Sequence, residues 1–183
     1  MSFSTALQFM LSLNFERFSN STVSEVDFPG NHSQDASLSA DVYRQPGREK
    51  QSRGVIVVVH GMTVTGNRDP RIINLCRALA EVGYTAVAPL IPGIQDQQIR
   101  PNSYDDVADF IQRITDNAEI CPQGRIGMLG PSFSGGACLI GAAKPENIDR
   151  VSAICTIGAY ASIRSVFDFF FRSNDPDEYG KTI

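Results

Sequence analysis

Apolar positions along the chain alternate between two patterns. Four short runs are continuously apolar: GVIVVVHG at 54–61, YTAVAPL at 84–90, RIGMLG at 125–130 and VSAICTIG at 151–158. The first three read as strands buried on both faces, and the last as a fourth strand. Between them lie segments of helical spacing. RIINLCRALAEVG sets Ile72, Ile73, Leu75, Cys76, Leu79 and Ala80 along one stripe, with Pro70 in the first turn and Gly83 at the stop. Residues 103–118 place Val107, Phe110, Ile111 and Ile114 on one face, with Ser103 as the predicted cap. GPSFSGGACLIGAAK is a turn followed by a small-residue helix that ends near Pro145.

Before the first buried run, TVSEVDF and ASLSADVYR carry Val23, Val26, Phe28, Leu38, Ala40 and Val42 in the spacing of two half-buried antiparallel strands, joined by a polar turn at Pro29-Gly30-Asn31. PGREKQSR (46–53) and IPGIQDQQIRPNS (91–103) read as polar loops. The first twenty residues predict a short amphipathic helix. The order, two strands and then β-α-β-α-β-α-β, predicts an α/β fold: a mostly parallel sheet with helices on both faces. Ligands in such sheets gather at the carboxyl ends of the strands.

Composition narrows the picture. At 183 residues the chain fits a single domain: an N-terminal segment and strand pair (1–53), a β/α core (54–158), and a tail (159–183). A formal charge of -4 leaves no broad basic surface, so no nucleic-acid partner is expected. No stretch is long and apolar enough for a membrane span. The N-terminus lacks a positively charged lead-in, so a secretory signal is only weakly supported. Cys76, Cys121, Cys138 and Cys155 show no metal-ligand spacing and read as reduced core residues, which favours a cytoplasmic location. No metal site is expected, and there is no G-x-G-x-x-G or GK[ST] loop for a nucleotide.

Two loops carry candidate chemistry. In Gly130-Pro131-Ser132-Phe133-Ser134-Gly135-Gly136 a serine sits at the tip of a tight strand-turn-helix. Small residues at 130 and 134 let strand and helix approach closely. The hydroxyl of Ser132 is thereby presented at a helix N-terminus, where developing negative charge is favoured. The second loop is His60-Gly61-Met62, which leaves the first buried strand. The Met62 and Phe133 amides are the expected pair of oxyanion donors.

With these pieces in place, the segment from about Ser39 to Gly158 resembles the α/β-hydrolase family. The matching parts are ADVYRQPG, VIVVVHG, DPRIINLCRALAEVGYTAVAP, IPG and IGMLGPSFSGGACLIGAA, and esterase-like and dienelactone-hydrolase-like members are nearest in pattern. The resemblance implies an α/β-hydrolase fold ending after about its sixth strand. It implies a serine hydrolase acting on an ester or related acyl bond of a small molecule, with Ser132 as nucleophile and Met62 and Phe133 as oxyanion hole. His60, Gly61, Gly130, Ser134 and Gly135 would be structural around the site, and no cofactor is implied. Two departures stand out. The elbow is G-x-S-x-S rather than G-x-S-x-G, which leaves Ser134 as a second candidate nucleophile. The family's order is Ser, then acid, then His, but no histidine follows His60; the other is His32. Asp168, Asp175 and Asp177 are candidate acids. Phe167, Phe169, Phe170 and Phe171 suit the start of a lid. The expectation is therefore an inactive chain lacking its catalytic base, the alternative being a non-enzymatic, hydrolase-like remnant or binding module. If no strands follow, 151–158 becomes an exposed edge open to self-association.

Overall fold

Val55–Val58 (β3) lies inside a six-stranded sheet, and its neighbours set where the loops meet. The structure is a computed structural model describing residues 3–14, 19–29, 37–47, 51–98 and 101–172. The other strands are β1 (Thr22–Phe28), β2 (Leu38–Arg44), β4 (Thr85–Pro89), β5 (Ile126–Pro131) and β6 (Val151–Ile157), and the sheet order is β1-β2-β4-β3-β5-β6. From β4 to β6 the pairings are parallel; β1–β2 and β2–β4 are antiparallel. The sheet is mixed, with its parallel part formed by the four continuously apolar runs.

Helices cover both faces. On one, α4 (Pro101–Asp116) and α5 (Phe133–Ala142) contribute Val107, Phe110, Ile111, Ile114, Ala137 and Cys138 to a core with Val57, Val87 and Met128. On the other, α2 (Pro70–Glu81) packs Ile72, Cys76, Leu79 and Ala80 against Val58, Ala86 and Ala88. The N-terminal α1 (Phe3–Asn14) lies on α2 and adds Phe9 to that core. Glu81 of α2, 4% exposed, ties the N-terminal segment down by accepting from the Asn20 N–H, the Ser19 hydroxyl and the Gln8 amide. A last helix, α6 (Ile163–Arg172), follows β6. Among the described residues no helix is long and apolar enough to cross a membrane.

Four local expectations are corrected. The 91–103 segment is not simply a polar loop: it contains a short helix, α3 (Pro92–Gln95), and Ile91 and Ile94 are fully buried. Helix α4 starts at Pro101, which fits the first turn; Ser103 lies inside it, buried with no hydrogen-bond partner among the described residues, and does not cap it. β1 is an outer strand whose Val23 is exposed; its Val26 packs half-buried against the core and Phe28 at its end is buried in it. Cys155 is exposed, while the other three cysteines are buried. The turn residues Gly30 and Asn31, and His32, lie outside the described residues.

His60 fixes the carboxyl end of β3 to the segment after β4. It is fully buried. Its Nδ1–H donates to the Gly61 carbonyl at 2.8 Å, and its Nε2 accepts from the Ile91 N–H at 3.1 Å. An amide N–H can only donate, so Nε2 carries no proton and the ring is the neutral Nδ1–H tautomer. Burial pushes the imidazole below its ordinary value of 6.5, against smaller opposing effects of the Gly61 carbonyl and Asp69. The unfolded chain thus takes up a proton near pH 6.5 that the folded chain refuses. The stability contributed by neutral His60 is whole above that pH and is lost as pH falls through the window below it. Urea denaturation is expected to show stability falling between pH 7.5 and 5.5, with a shallower slope in His60→Gln, which itself costs about 1–3 kcal/mol. Equal slopes in the two proteins would dismiss this role.

Candidate active site

β5 runs into α5 with one residue between strand end and helix start. That residue is Ser132, with φ 53° and ψ -127°. Among the described residues only Gln97, in an exposed turn, shares a positive φ without being glycine. Such a conformation costs of order 1–3 kcal/mol and persists only where the surroundings enforce it. Three features do so. The Ser132 N–H donates to the Ile157 carbonyl of β6 at 2.8 Å. A Cβ on Gly130 would stand 2.7 Å from the Ser134 carbonyl oxygen and 2.8 Å from the Gly135 nitrogen, and one on Gly135 would stand 2.7 Å from the Gly130 oxygen. Strand and helix are therefore in backbone-to-backbone contact that no side chain could enter. Third, the Ser134 hydroxyl donates to the Pro131 carbonyl at 2.7 Å and also lies 3.1 Å from the Val59 carbonyl.

This arrangement separates the two serines. Ser134 is fully buried, its proton committed to carbonyls across the turn and at the end of β3. Ser132 is exposed and caps none of the helix amides with its side chain. Its hydroxyl stands at the N-terminus of α5, where Phe133 opens the helix and its N–H has no intrahelical acceptor.

The loop after β3 meets this turn. β3 and β5 are paired through Val58 and Leu129, and the Val59 N–H donates to the Leu129 carbonyl at 2.9 Å. A Cβ on Gly61 would lie 3.9 Å from both the Pro131 ring and the Pro131 carbonyl oxygen. That is ordinary contact, so glycine is not sterically required there, but the approach places Gly61 and Met62 beside the serine turn. Met62 is half-buried, and among the described residues no backbone carbonyl takes its N–H. Further along, Asn67 anchors the loop by donating to Asp41 and to the Ala88 carbonyl, both at 3.1 Å.

Aromatic packing behind the turn was not visible in the sequence. Phe133, 4% exposed, sits between Tyr104 and Tyr160, with ring centroids 5.6 and 5.9 Å away. The two tyrosine hydroxyls share a hydrogen bond of 2.9 Å. Burial, together with that bond, pushes the Tyr160 phenol above its ordinary range. A Cβ on Gly136 would stand 2.6 Å from the Tyr160 ring, so this glycine is a seat for the ring. The three aromatics are far apart in sequence and share no periodicity, so no local signal links them.

The remaining candidates stand as follows. His60 is locked on both nitrogens. Asp168 lies on α6, while Asp175 and Asp177 fall outside the described residues. Among the described residues no group of three or more His, Cys, Asp or Glu could hold a metal ion.

No family model and no curated protein matches the sequence. Solved structures do. The hyperthermophilic esterase from the archaeon Pyrobaculum calidifontis superposes with a TM-score of 0.62 at 19% identity, over 92% of this chain and 55% of the esterase. Brefeldin A esterase, described as a bacterial homologue of human hormone-sensitive lipase, gives 0.59 at 15% identity, over 82% and 47% of the two chains. A fungal esterase from Rhizomucor miehei gives 0.61 at 12% identity, over 85% and 51%. The chain spans about half the length of these enzymes. At such identities the likeness is one of architecture, and it agrees with the strained serine turn between the fifth strand and its helix: the chain has the α/β-hydrolase fold.

Proposed function

We propose that this chain carries the nucleophile half of a serine hydrolase acting on an ester or related acyl bond of a small molecule. The observation that carries the reading is the backbone of Ser132. A strained φ of 53° at the junction of β5 and α5 holds an exposed hydroxyl at a helix N-terminus. In this scheme the Ser132 Oγ attacks the acyl carbon. The Met62 and Phe133 amides receive the oxyanion, and the α5 dipole adds to them. The neighbouring esterases are consistent with that chemistry and, being known as esterases, suggest the substrate class.

A serine hydroxyl is a weak nucleophile until a base takes its proton. Both nitrogens of His60 are spent on Gly61 and Ile91, so it is no base for Ser132. Turnover by the 183-residue chain alone should therefore fall roughly 10⁴-fold or more below that of a complete triad. The same observation favours a second reading, in which the fold is kept as a binding scaffold and Ser132 is never used.

Prolonged incubation with a fluorophosphonate should modify Ser132 slowly, at a rate that does not climb between pH 5.5 and 7.5 as an imidazole-activated serine's would. The adduct should disappear in Ser132→Ala. Labelling that survives this substitution would discard Ser132 as nucleophile, and folded protein that never labels would favour the scaffold reading. Ser134→Ala should lose about 1 kcal/mol of stability yet still label, since its hydroxyl is a tether. Loss of labelling in a folded Ser134→Ala protein would reassign the nucleophile. Gly130→Ala should cost at least about 1–3 kcal/mol, because its methyl meets backbone rather than a movable side chain; a variant of unchanged stability would contradict the close approach.

A further inference from the structure

We infer that the paired hydroxyls of Tyr104 and Tyr160 form a subsite beside Ser132 that binds an uncharged acceptor oxygen in the acyl chain of the ester. The inference rests on the reading of Ser132 as nucleophile. It narrows the substrate class to acyl groups that carry a second oxygen, as a keto ester does.

Three segments distant in sequence meet at the carboxyl end of the sheet. Tyr104 belongs to the first turn of α4, which follows the loop after β4. Tyr160 stands just past the end of β6, and Ser132 lies between β5 and α5. The segment after β6 is seated on the first turn of α5. A Cβ on Gly135 would stand 2.8 Å from the Ala159 Cβ. One on Gly136 would stand 2.6 Å from the Tyr160 Cζ and 2.8 Å from its Oη. Residues four apart share a helix face, and four residues advance about 6 Å along the axis. Gly136 therefore holds the Tyr160 hydroxyl within about one turn of Ser132. A short acyl chain spans that distance, with the Phe133, Tyr104 and Tyr160 rings as an apolar wall for its carbons.

The hydroxyl pair has hydrogen-bonding capacity to spare. Two phenols carry two protons, and their mutual bond of 2.9 Å spends one. Among the described residues neither oxygen has another hydrogen-bond partner. Both side chains are half-buried. One O–H thus remains to donate, and the mutual bond polarises it. Burial, and then the bond to Tyr104, push the Tyr160 phenol above its ordinary range, so the pair keeps its protons at neutral pH. The charges next to Tyr104 on α4 are Asp105 and Asp106, and Lys144 is paired with Asp105. That setting disfavours a carboxylate and favours a ketone, ether or second ester as the acceptor.

Binding is measured by NMR on the Ser132→Ala chain, so that no ester is turned over. Methyl levulinate carries a ketone in its acyl chain; methyl isocaproate has the same branched shape with a methyl group in place of that oxygen. The keto ester is expected to bind about three- to tenfold more tightly, and to shift the ring signals of Tyr104 and Tyr160. Adding Tyr104→Phe and Tyr160→Phe together keeps the rings against Phe133 and removes both oxygens. The preference should then vanish, with the affinity for isocaproate unchanged. Equal binding of the two esters by the Ser132→Ala chain would overturn the inference. So would binding of neither ester, or a preference that survives loss of both hydroxyls. A preference that holds in a protein whose Ser132 never takes up fluorophosphonate would uphold the subsite and overturn only the nucleophile.

Discussion

Backbone meets backbone between β5 and the first turn of α5, and the upper end of the sheet is organised by that contact. With hydrogen alone at positions 130 and 135, the helix can start one residue after the strand stops. A turn so short has no room for relaxed dihedrals, and Ser132 absorbs the mismatch. What keeps it there is distributed. One bond comes from β6 through Ile157, and another links Ser134 to Pro131 across the turn, with Val59 of the neighbouring strand end close by. Removing any one of these supports would leave the others holding the same geometry, which is how a strained residue is kept rigid.

His60 makes the second junction, and it does so as an uncharged group. A lysine or arginine in its place would have to bury a charge there, and a leucine would strand the Ile91 N–H. The imidazole alone offers a donor and an acceptor on opposite sides of a small ring. That chemistry explains why histidine follows a buried strand here, with both of its nitrogens engaged. The loop bearing Met62 is consequently held at both ends: by His60 at its start, and by Asn67 bonded to Asp41 and Ala88 farther on.

Much of this could be read from the sequence, and the failures have physical reasons. The buried strands β3, β4 and β5 were legible because a strand covered on both faces has no polar alternation to confuse the reading, whereas β6, read from a similar run, is largely exposed. The serine turn was legible because the small residues Gly130 and Ser134, two positions either side of Ser132, answer a steric need. α3 was missed because four residues are too few to display a period, and the glutamines around it masked Ile91 and Ile94. Val23 of β1 misled because an apolar residue at an outer edge satisfies the same pattern without being buried. The aromatic packing of Tyr104, Phe133 and Tyr160 left no local trace, since only the fold brings those rings together. Cys155 looked like its buried counterparts because a strand's sequence does not say which of its faces a helix will cover.

The order of the strands also fixes an order in time. β1 and β2 leave the ribosome before the other strands, yet β2 pairs inward only with β4, which is made after β3 and α2. A two-stranded ribbon is marginally stable in water by itself. At roughly 5–20 residues per second of synthesis, the ribbon waits on the order of seconds with Val42 and Leu38 uncovered. Only when β3 and β4 have joined does it gain a template. The ribbon of β1 and β2 is thus secured later than its place in the chain suggests, yet before the turn bearing Ser132 has been synthesised.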